Sequence, residues 1–417
     1  MVFRVVTVDE ARRRLLSLLP PFPAGKEKVD LASCPGRVTA GDIHSPAEVP
    51  SFSRSTVDGF AVRASETFGA SESIPSMLAL AAPIPMGRPA AAPLPAGHAA
   101  PIATGGILPE GADAVVMVEH AETLDERTVA VTRPVAPGAN VLQRGEEVTA
   151  GEMLFPRGHL LRPADLGVLA SAGMTVVEVF ARPRVAVLST GDEIVPVEIE
   201  PTPGKVRDVN GWTLSALAGE DGGRPERRGI VADRYEDLKV ALEEALEADL
   251  VLVSGGSSVG ARDLTARAVA ALGHPGVLAH GLALRPGKPT LVALVRGKPV
   301  ITLPGHPVSA LVAYYLLARP ALRRLQGWDP AADNGQEWRW CWNGRVRARV
   351  GRSLASVPGR EDYVPVRLVP EEDELQAVPV LGKSGSISTL ARAHGLLHIP
   401  LDREGFEPGE KGYVYLF

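Results

Sequence analysis

Short apolar runs followed by polar, glycine-rich loops recur through the middle of the chain. Arg184-Val185-Ala186-Val187-Leu188 opens into Ser189-Thr190-Gly191-Asp192-Glu193. Leu250-Val251-Leu252-Val253 opens into Ser254-Gly255-Gly256-Ser257-Ser258-Val259-Gly260-Ala261-Arg262-Asp263. Pro299–Leu303 opens into Pro304-Gly305-His306-Pro307-Val308-Ser309. Runs this short and rich in Val and Leu suit strands buried on both faces. Helical patterns near Trp212–Gly219, Tyr235–Ala248, Asp263–Leu272 and Ser309–Leu322 alternate with them, as in a parallel α/β sheet. Parallel connections set strand C-termini on one edge, where loops far apart in sequence converge.

The flanks have other periods. Val6–Leu19 predicts an amphipathic helix, with Thr7 and Glu10 at capping-box spacing and Ala11, Leu15, Leu16 and Leu19 as its apolar stripe. A second helix is predicted at Pro163–Ala172, ended by Gly173, and the two are expected to pair. From about Ser45 to Pro134 short segments such as Ala61-Val62, Met77–Ala82 and Ala114–Val118 are divided by Pro and Gly, which predicts a small β domain. After a loose stretch at Gly327–Gly335 the period becomes two. Trp338, Trp340 and Trp342, then Val346, Ala348 and Val350, flank Asn343-Gly344 and predict a hairpin, with Arg345, Arg347 and Arg349 on its solvated face. Further strands near Tyr363–Val369 and Leu375–Leu381 complete a small C-terminal β-barrel or sandwich.

Composition narrows the function more by exclusion than by direction. At 417 residues, the chain has room for about three domains. No apolar run approaches a membrane span and the N-terminus lacks a signal-peptide layout, so a cytoplasmic protein is expected. A net charge of -5 provides no general attraction to nucleic acid or acidic membranes, which leaves a small ligand. Cys34 and Cys341 have neither zinc-site nor CxxC spacing, and packing accounts for both. The histidines show no HxH or HExxH spacing, and GxxxxGK[ST] is absent, so the P-loop reading falls away. Gly256-Ser257-Ser258-Val259-Gly260 has GxSxG spacing, a short pattern that does not by itself make a serine hydrolase.

What remains is anion chemistry. In the loop after Leu250–Val253, glycines admit close backbone approach, serine hydroxyls add donors, and Asp263 offers a hard oxygen to a divalent cation beside phosphate. Taken alone this is equally an ordinary strand-to-helix turn, and its weight comes from the parallel loops. Arg285-Pro286-Gly287-Lys288-Pro289 sets two cations on a rigid turn suited to a tetrahedral oxyanion. Asp58-Gly59 and Thr104-Gly105-Gly106 are weaker signals, each explained as well by a local turn. His306, at a helix start, is assigned no catalytic role.

Taken in order, Ser-Thr-Val-Asp-Gly-Phe-Ala at 55–61, Thr-Gly-Gly at 104–106, Gly-Ala-Asp-Ala-Val-Val-Met at 111–117, Arg-Gly-Glu-Glu at 144–147, Ser-Thr-Gly-Asp-Glu at 189–193, Ser-Gly-Gly-Ser-Ser-Val-Gly at 254–260, Arg-Pro-Gly-Lys-Pro at 285–289, Pro-Gly-His-Pro-Val-Ser at 304–309 and Gly-Lys-Ser-Gly-Ser-Ile-Ser at 382–388 resemble the molybdopterin molybdenumtransferase family. Its eukaryotic counterpart is the E domain of gephyrin. The resemblance implies a multidomain α/β protein: a discontinuous N-terminal helical domain (1–45 and 138–178), an inserted β domain (46–137), a three-layer parallel-sheet molybdopterin-binding domain (179–326) and a C-terminal β-barrel (335–417). It also implies a homodimer whose active-site cleft draws on the α/β domain of one subunit and the inserted domain of the other.

The activity so implied is insertion of molybdenum from molybdate into adenylylated molybdopterin, with release of AMP and help from Mg2+. The adenylyltransferase of the preceding step and acceptor molybdoenzymes are the implied protein partners. By position, Glu193 and Asp263 take the acidic metal- and phosphate-side roles, and Asp58 and Thr104 those of the inserted domain. Asp208 and Asp233 are weaker candidates. Gly256, Ser258 and Gly260 line the pterin phosphate or oxyanion pocket, and Pro304 and Pro307 shape the turn beside it. Arg285, Lys288 and Ser309 supply charge and hydroxyl contacts. Val57, Glu147, Arg234, Arg285, His306 and His394 depart from the commonest family residues, which leaves any direct role of the 147 carboxylate open. Two alternatives stand beside insertion: a molybdopterin adenylyltransferase, which shares the α/β domain, and a non-catalytic scaffold like the gephyrin E domain.

Overall fold

A computed structural model describes residues 5–23, 25–255, 259–328, 337–371 and 374–417, and for 259–263 and 337–338 the backbone alone. At its centre is a six-stranded sheet in the order Arg224–Val231, Arg184–Thr190, Leu250–Gly255, Lys298–Leu303, Leu291–Val295, Pro275–His280. Alternate residues of each strand face opposite layers. Val185, Val187, Leu250 and Leu252 pack under the Asn210–Glu220 helix and the run beginning at Pro307. Ala186, Leu188, Val251 and Val253 pack under Tyr235–Ala245 and Val259–Ala271. The doubly buried runs thus become the middle layer of three.

The sheet's first four strands are parallel, while Leu291–Val295 runs against its neighbours. Only Arg296 and Gly297 join it to Lys298–Leu303, and both have positive φ, 52° and 77°. A two-residue connection of that kind closes an antiparallel hairpin and is too short for a crossover. The first crossover, over Asn210–Glu220, leads to one side of Arg184–Thr190 and the second, over Tyr235–Ala245, leads to its other side. Between Arg184–Thr190 and Leu250–Gly255 the winding reverses, which opens a crevice at their C-terminal ends.

The predicted N-terminal helix forms at Val8–Leu18, with the Thr7 hydroxyl accepting from Glu10 N–H at 3.1 Å. Its expected partner was the Pro163–Ser171 helix, and the structure corrects this. Ala11, Leu15 and Leu19 are buried in the core of the α/β domain, and Val6 N–H donates to Gly281 O at 3.2 Å. Leu169 of the other helix lies in a separate cluster with Cys34, Phe155 and Val179. An apolar stripe shows that a helix face is covered, not by what. Around that second cluster, short strand pairs join Lys26–Asp30 to Val176–Phe180 and Ile43–His44 to Met153–Phe155.

Residues 59–131 contribute a sheet ordered Ala114–Met117, Gly59–Val62, His98–Ile102, Ser76–Leu80, Thr128–Val131, Ala121–Thr123. Phe60, Val62 and Val116 pack on one face of it, Ala61, Ala100 and Val115 on the other. In the C-terminal region, Glu361–Glu371 pairs with both Glu374–Pro379 and Gly395–Ile399. Lys411–Leu416 joins Gly395–Ile399 to Gly344–Val350, which pairs in turn with Glu374–Pro379, so the barrel closes. The hairpin predicted at Asn343-Gly344 does not form. Glu337–Trp340 is a 3-10 turn, and Gly344 is not among the glycines with positive φ that such a hairpin needs. Tertiary contacts win there: Arg323 donates to Asn343 Oδ1 at 2.5 Å, and the Trp342 ring stacks on Tyr415 at 5.1 Å. No described helix is long and apolar enough to cross a membrane.

Candidate functional site

The crevice is organised by polar side chains at the strand ends. Ser189 donates to Asp208 Oδ1 at 2.8 Å and Thr190 to Asp233 Oδ1 at 2.6 Å. Asp208 also accepts from Gly211 N–H at 2.9 Å and so caps the helix leading away. Asn210 donates through Nδ2 to Ser254 Oγ at 2.7 Å and to Gly305 O at 2.8 Å, tying two of the loops together. Its Oδ1 is buried and has no hydrogen-bond partner among the described residues, an acceptor held at the crevice. Gly255 is required here, because φ is 136° and a Cβ would stand 1.8 Å from Thr190 O.

Glu193 is exposed beyond Gly191. Gly256 and Ser258 lie outside the described residues. Gly260 and Asp263 fall in the Val259–Ala271 helix, and their side chains are likewise outside the description. Asp208 and Asp233 are placed firmly at the crevice.

In the inserted domain, Asp58 and Thr104 meet across 46 residues of sequence. Thr104 donates to Asp58 Oδ1 from its backbone N–H at 2.7 Å and from its hydroxyl at 2.9 Å. These two bonds hold the Asp58 carboxyl below its ordinary value, although the residue is exposed. Gly59 is fixed by close approach, since a Cβ there would lie 1.9 Å from Val116 O.

A cavity of about 1120 Å³ opens between the α/β domain and the barrel. Arg285, Lys288, His306 and Ser309 line it from one side, Arg360, Asp362, Lys383 and Ser384 from the other. Leu284-Arg285 pairs in parallel with Glu361-Asp362, and Glu361 N–H donates to Ala283 O at 2.9 Å, so the cationic turn is clamped to a barrel strand. On the far side of the mouth, Ser384 and His306 Nδ1 lie 2.8 Å apart, and Val308 N–H donates to Ser384 O at 3.1 Å. Pro304 is buried and Pro307 begins the helix, so the Pro304–Ser309 turn reaches the crevice through Gly305 and the cavity through His306 and Ser309. Four cations and two hydroxyls around one space can gather an oxyanion.

Sequence reasoning missed Asn210, Arg360 and Asp362. Asn210 carried a faint signal, following Asp208-Val209 at a helix start, where Asn and Asp are favoured as caps. Arg360 and Asp362 carried none, because their role arises from one domain meeting another.

Three family patterns cover most of the chain: MoeA N-terminal region (domain I and II) over residues 6–173, probable molybdopterin binding domain over 186–324, and MoeA C-terminal region (domain IV) over 347–417. A putative molybdopterin biosynthesis protein of Methanocaldococcus jannaschii is 34% identical over 94% of this chain and 92% of its own length. A molybdopterin molybdenumtransferase of Nostoc sp. is 32% identical, over 97% and 92%. The chain belongs to the molybdopterin molybdenumtransferase family. A crystal structure of the molybdopterin biosynthesis moeA protein from Pyrococcus horikoshii OT3 superposes with a TM-score of 0.80 at 30% identity, covering 99% of this chain and 100% of that one. Another, described as from Pyrococcus horikosii, gives 0.77 at 36% identity, covering 99% of both. Of the motifs quoted above, those at 189–193 and 304–309 reach the crevice, 285–289 lines the cavity, and 55–61 and 104–106 carry the Asp58–Thr104 pair.

Proposed function

We propose that this chain is a molybdopterin molybdotransferase: it inserts molybdenum from molybdate into adenylylated molybdopterin, releases AMP and forms molybdenum cofactor. Both reactants are anionic, and the observation that carries the reading is the cavity in which Arg285, Lys288, Arg360 and Lys383 converge with Ser309 and Ser384. The cations and hydroxyls there offer donors to the molybdate oxygens. The crevice takes the pterin phosphate end, and the Pro304–Ser309 turn sets the two reactants side by side. Family relatives named as transferases support this over the adenylyltransferase alternative.

Magnesium, the expected cofactor, calls for few protein ligands beside substrate phosphates. No cluster of three or more His, Cys, Asp or Glu able to cage a metal exists among the described residues. Glu193, with Asp263, offers hard oxygen, and magnesium is commonly held by one or two carboxylates, waters and substrate phosphates. When bound, it supplies positive charge beside the leaving phosphate. The chain's own residues do the rest: Asp208 and Asp233 brace the loop that carries Glu193, and Lys288 and Arg285 orient molybdate. We further propose a homodimer in which the Asp58–Thr104 pair of one subunit completes the cleft of the other.

The test supplies adenylylated molybdopterin, molybdate and Mg2+ to the purified chain and follows AMP release and activation of an apo-molybdoenzyme. AMP release that depends on molybdate, and drops about 100-fold in Lys288→Ala, is the expected result. AMP-linked pterin accumulating from free molybdopterin and ATP would sink the insertion reading.

A further inference from the structure

Asp362 stands apart from the other cavity residues because it is an acid among cations. Its side chain is 5% exposed, and two guanidiniums reach it. Arg360 donates from Nε to Oδ1 at 2.8 Å and from Nη2 to Oδ2 at 3.3 Å, a fork-to-fork pair. Arg285, from the α/β domain, approaches Oδ2 with Nη1 at the longer distance of 3.6 Å, and its own side chain is 61% exposed. Asp362 is thus shared unequally: one arginine is locked to it and the other rests near it.

We propose that Asp362 is a positioning residue for the oxyanion subsite, aligning the Arg360 fork into the cavity and parking Arg285 where an incoming dianion can take it over. The inference rests on the reading of this cavity as the molybdate site. The buried carboxylate fixes the plane of Arg360, since the bidentate geometry is directional and a lysine ammonium would not be so constrained, while Arg285 is held only by charge at 3.6 Å. An arginine at 285 can point one N–H at Asp362 while turning others toward a ligand. The backbone supports the same arrangement, because the parallel pairing of Leu284-Arg285 with Glu361-Asp362 sets the two side chains on adjoining strands of different domains.

Direct electrostatics and positioning predict opposite signs for removal of Asp362. A carboxylate near a dianion repels it, so a passive counterion should raise oxyanion affinity when neutralised. A positioning residue should lower affinity when neutralised, and only while its arginine is present. Molybdate binding to the full-length chain is measured by calorimetry for wild type, Asp362→Asn, Arg360→Ala and the double variant. Expected is a roughly tenfold loss in Asp362→Asn, shrinking to less than about twofold in the Arg360→Ala background. Equal losses in the two backgrounds, or tighter binding by Asp362→Asn, overturn the proposal. If Asp362→Asn fails to fold, Arg360→Lys breaks the same fork from the more exposed side and should lose affinity by a similar factor with an unchanged melting temperature; unchanged affinity there refutes the inference equally. A wild type that binds no molybdate while retaining its melting temperature rejects the cavity as the oxyanion site, a different failure from the one above.

Discussion

A single threonine lowers the proton affinity of an exposed acid at the candidate site. The Asp58 carboxyl lies below its ordinary 3.8 because Thr104 gives it a backbone N–H and a hydroxyl. A carboxyl depressed in the folded state contributes stability that is present above the ordinary value and lost as pH falls through the folded one. Thr104→Val keeps the backbone donor and removes the hydroxyl. The expected outcome is an upward move of the Asp58 midpoint toward 3.8, followed by carboxyl carbon NMR between pH 2 and 6. A midpoint that stays put would show that the backbone bond alone accounts for the depression. At neutral pH the pair remains an ionised, oriented carboxylate in both proteins, so the variant separates charge from geometry.

At the scale of elements, what could be read from the chain followed a simple division. Strands Arg184–Thr190, Leu250–Gly255 and Lys298–Leu303 were legible because a buried parallel strand is nearly all apolar and ends in a polar loop. Their shared edge followed from connection rules alone. The Pro304–Ser309 turn, expected at that edge, is tied to Ser254 through Asn210, while Ser258 and the Asp263 side chain, expected beside it, lie outside the described residues. The Asn343-Gly344 hairpin misled because local turn preference was outweighed by Arg323 and the Trp342 stack, which come from elsewhere in the chain. The N-terminal helix was located but not its partner, for the stripe Ala11, Leu15 and Leu19 carries no address. Its docking on the α/β core has a measurable consequence. Leu15 is 1% exposed, and Leu15→Ala should cost about 2–5 kcal/mol in urea unfolding of the α/β domain. A loss below about 0.5 kcal/mol would mean that the helix is peripheral to that core.

At the scale of the molecule, the candidate residues divide between places that one subunit need not bring together. The α/β crevice and the cationic cavity share the Pro304–Ser309 turn, whereas Asp58 and Thr104 belong to the separate sheet of residues 59–131. The proposed homodimer would join them across subunits. Closed two-fold symmetry then makes a prediction that needs no knowledge of the interface. Asp58→Ala and Lys288→Ala each remove one side of the composite site, and each homodimer should be inactive. After unfolding and refolding together in equal amounts, about half of the dimers are mixed, and each mixed dimer has one site with both residues intact and one with neither. Activity should therefore return to about a quarter of the wild-type value, read as AMP release per chain. Recovery should follow the joint refolding: the two variants combined after separate refolding and assayed at once should stay inactive. If a stable dimer forms and the mixture recovers nothing, Asp58 and Lys288 serve the same subunit's site, and the cleft is built within one chain.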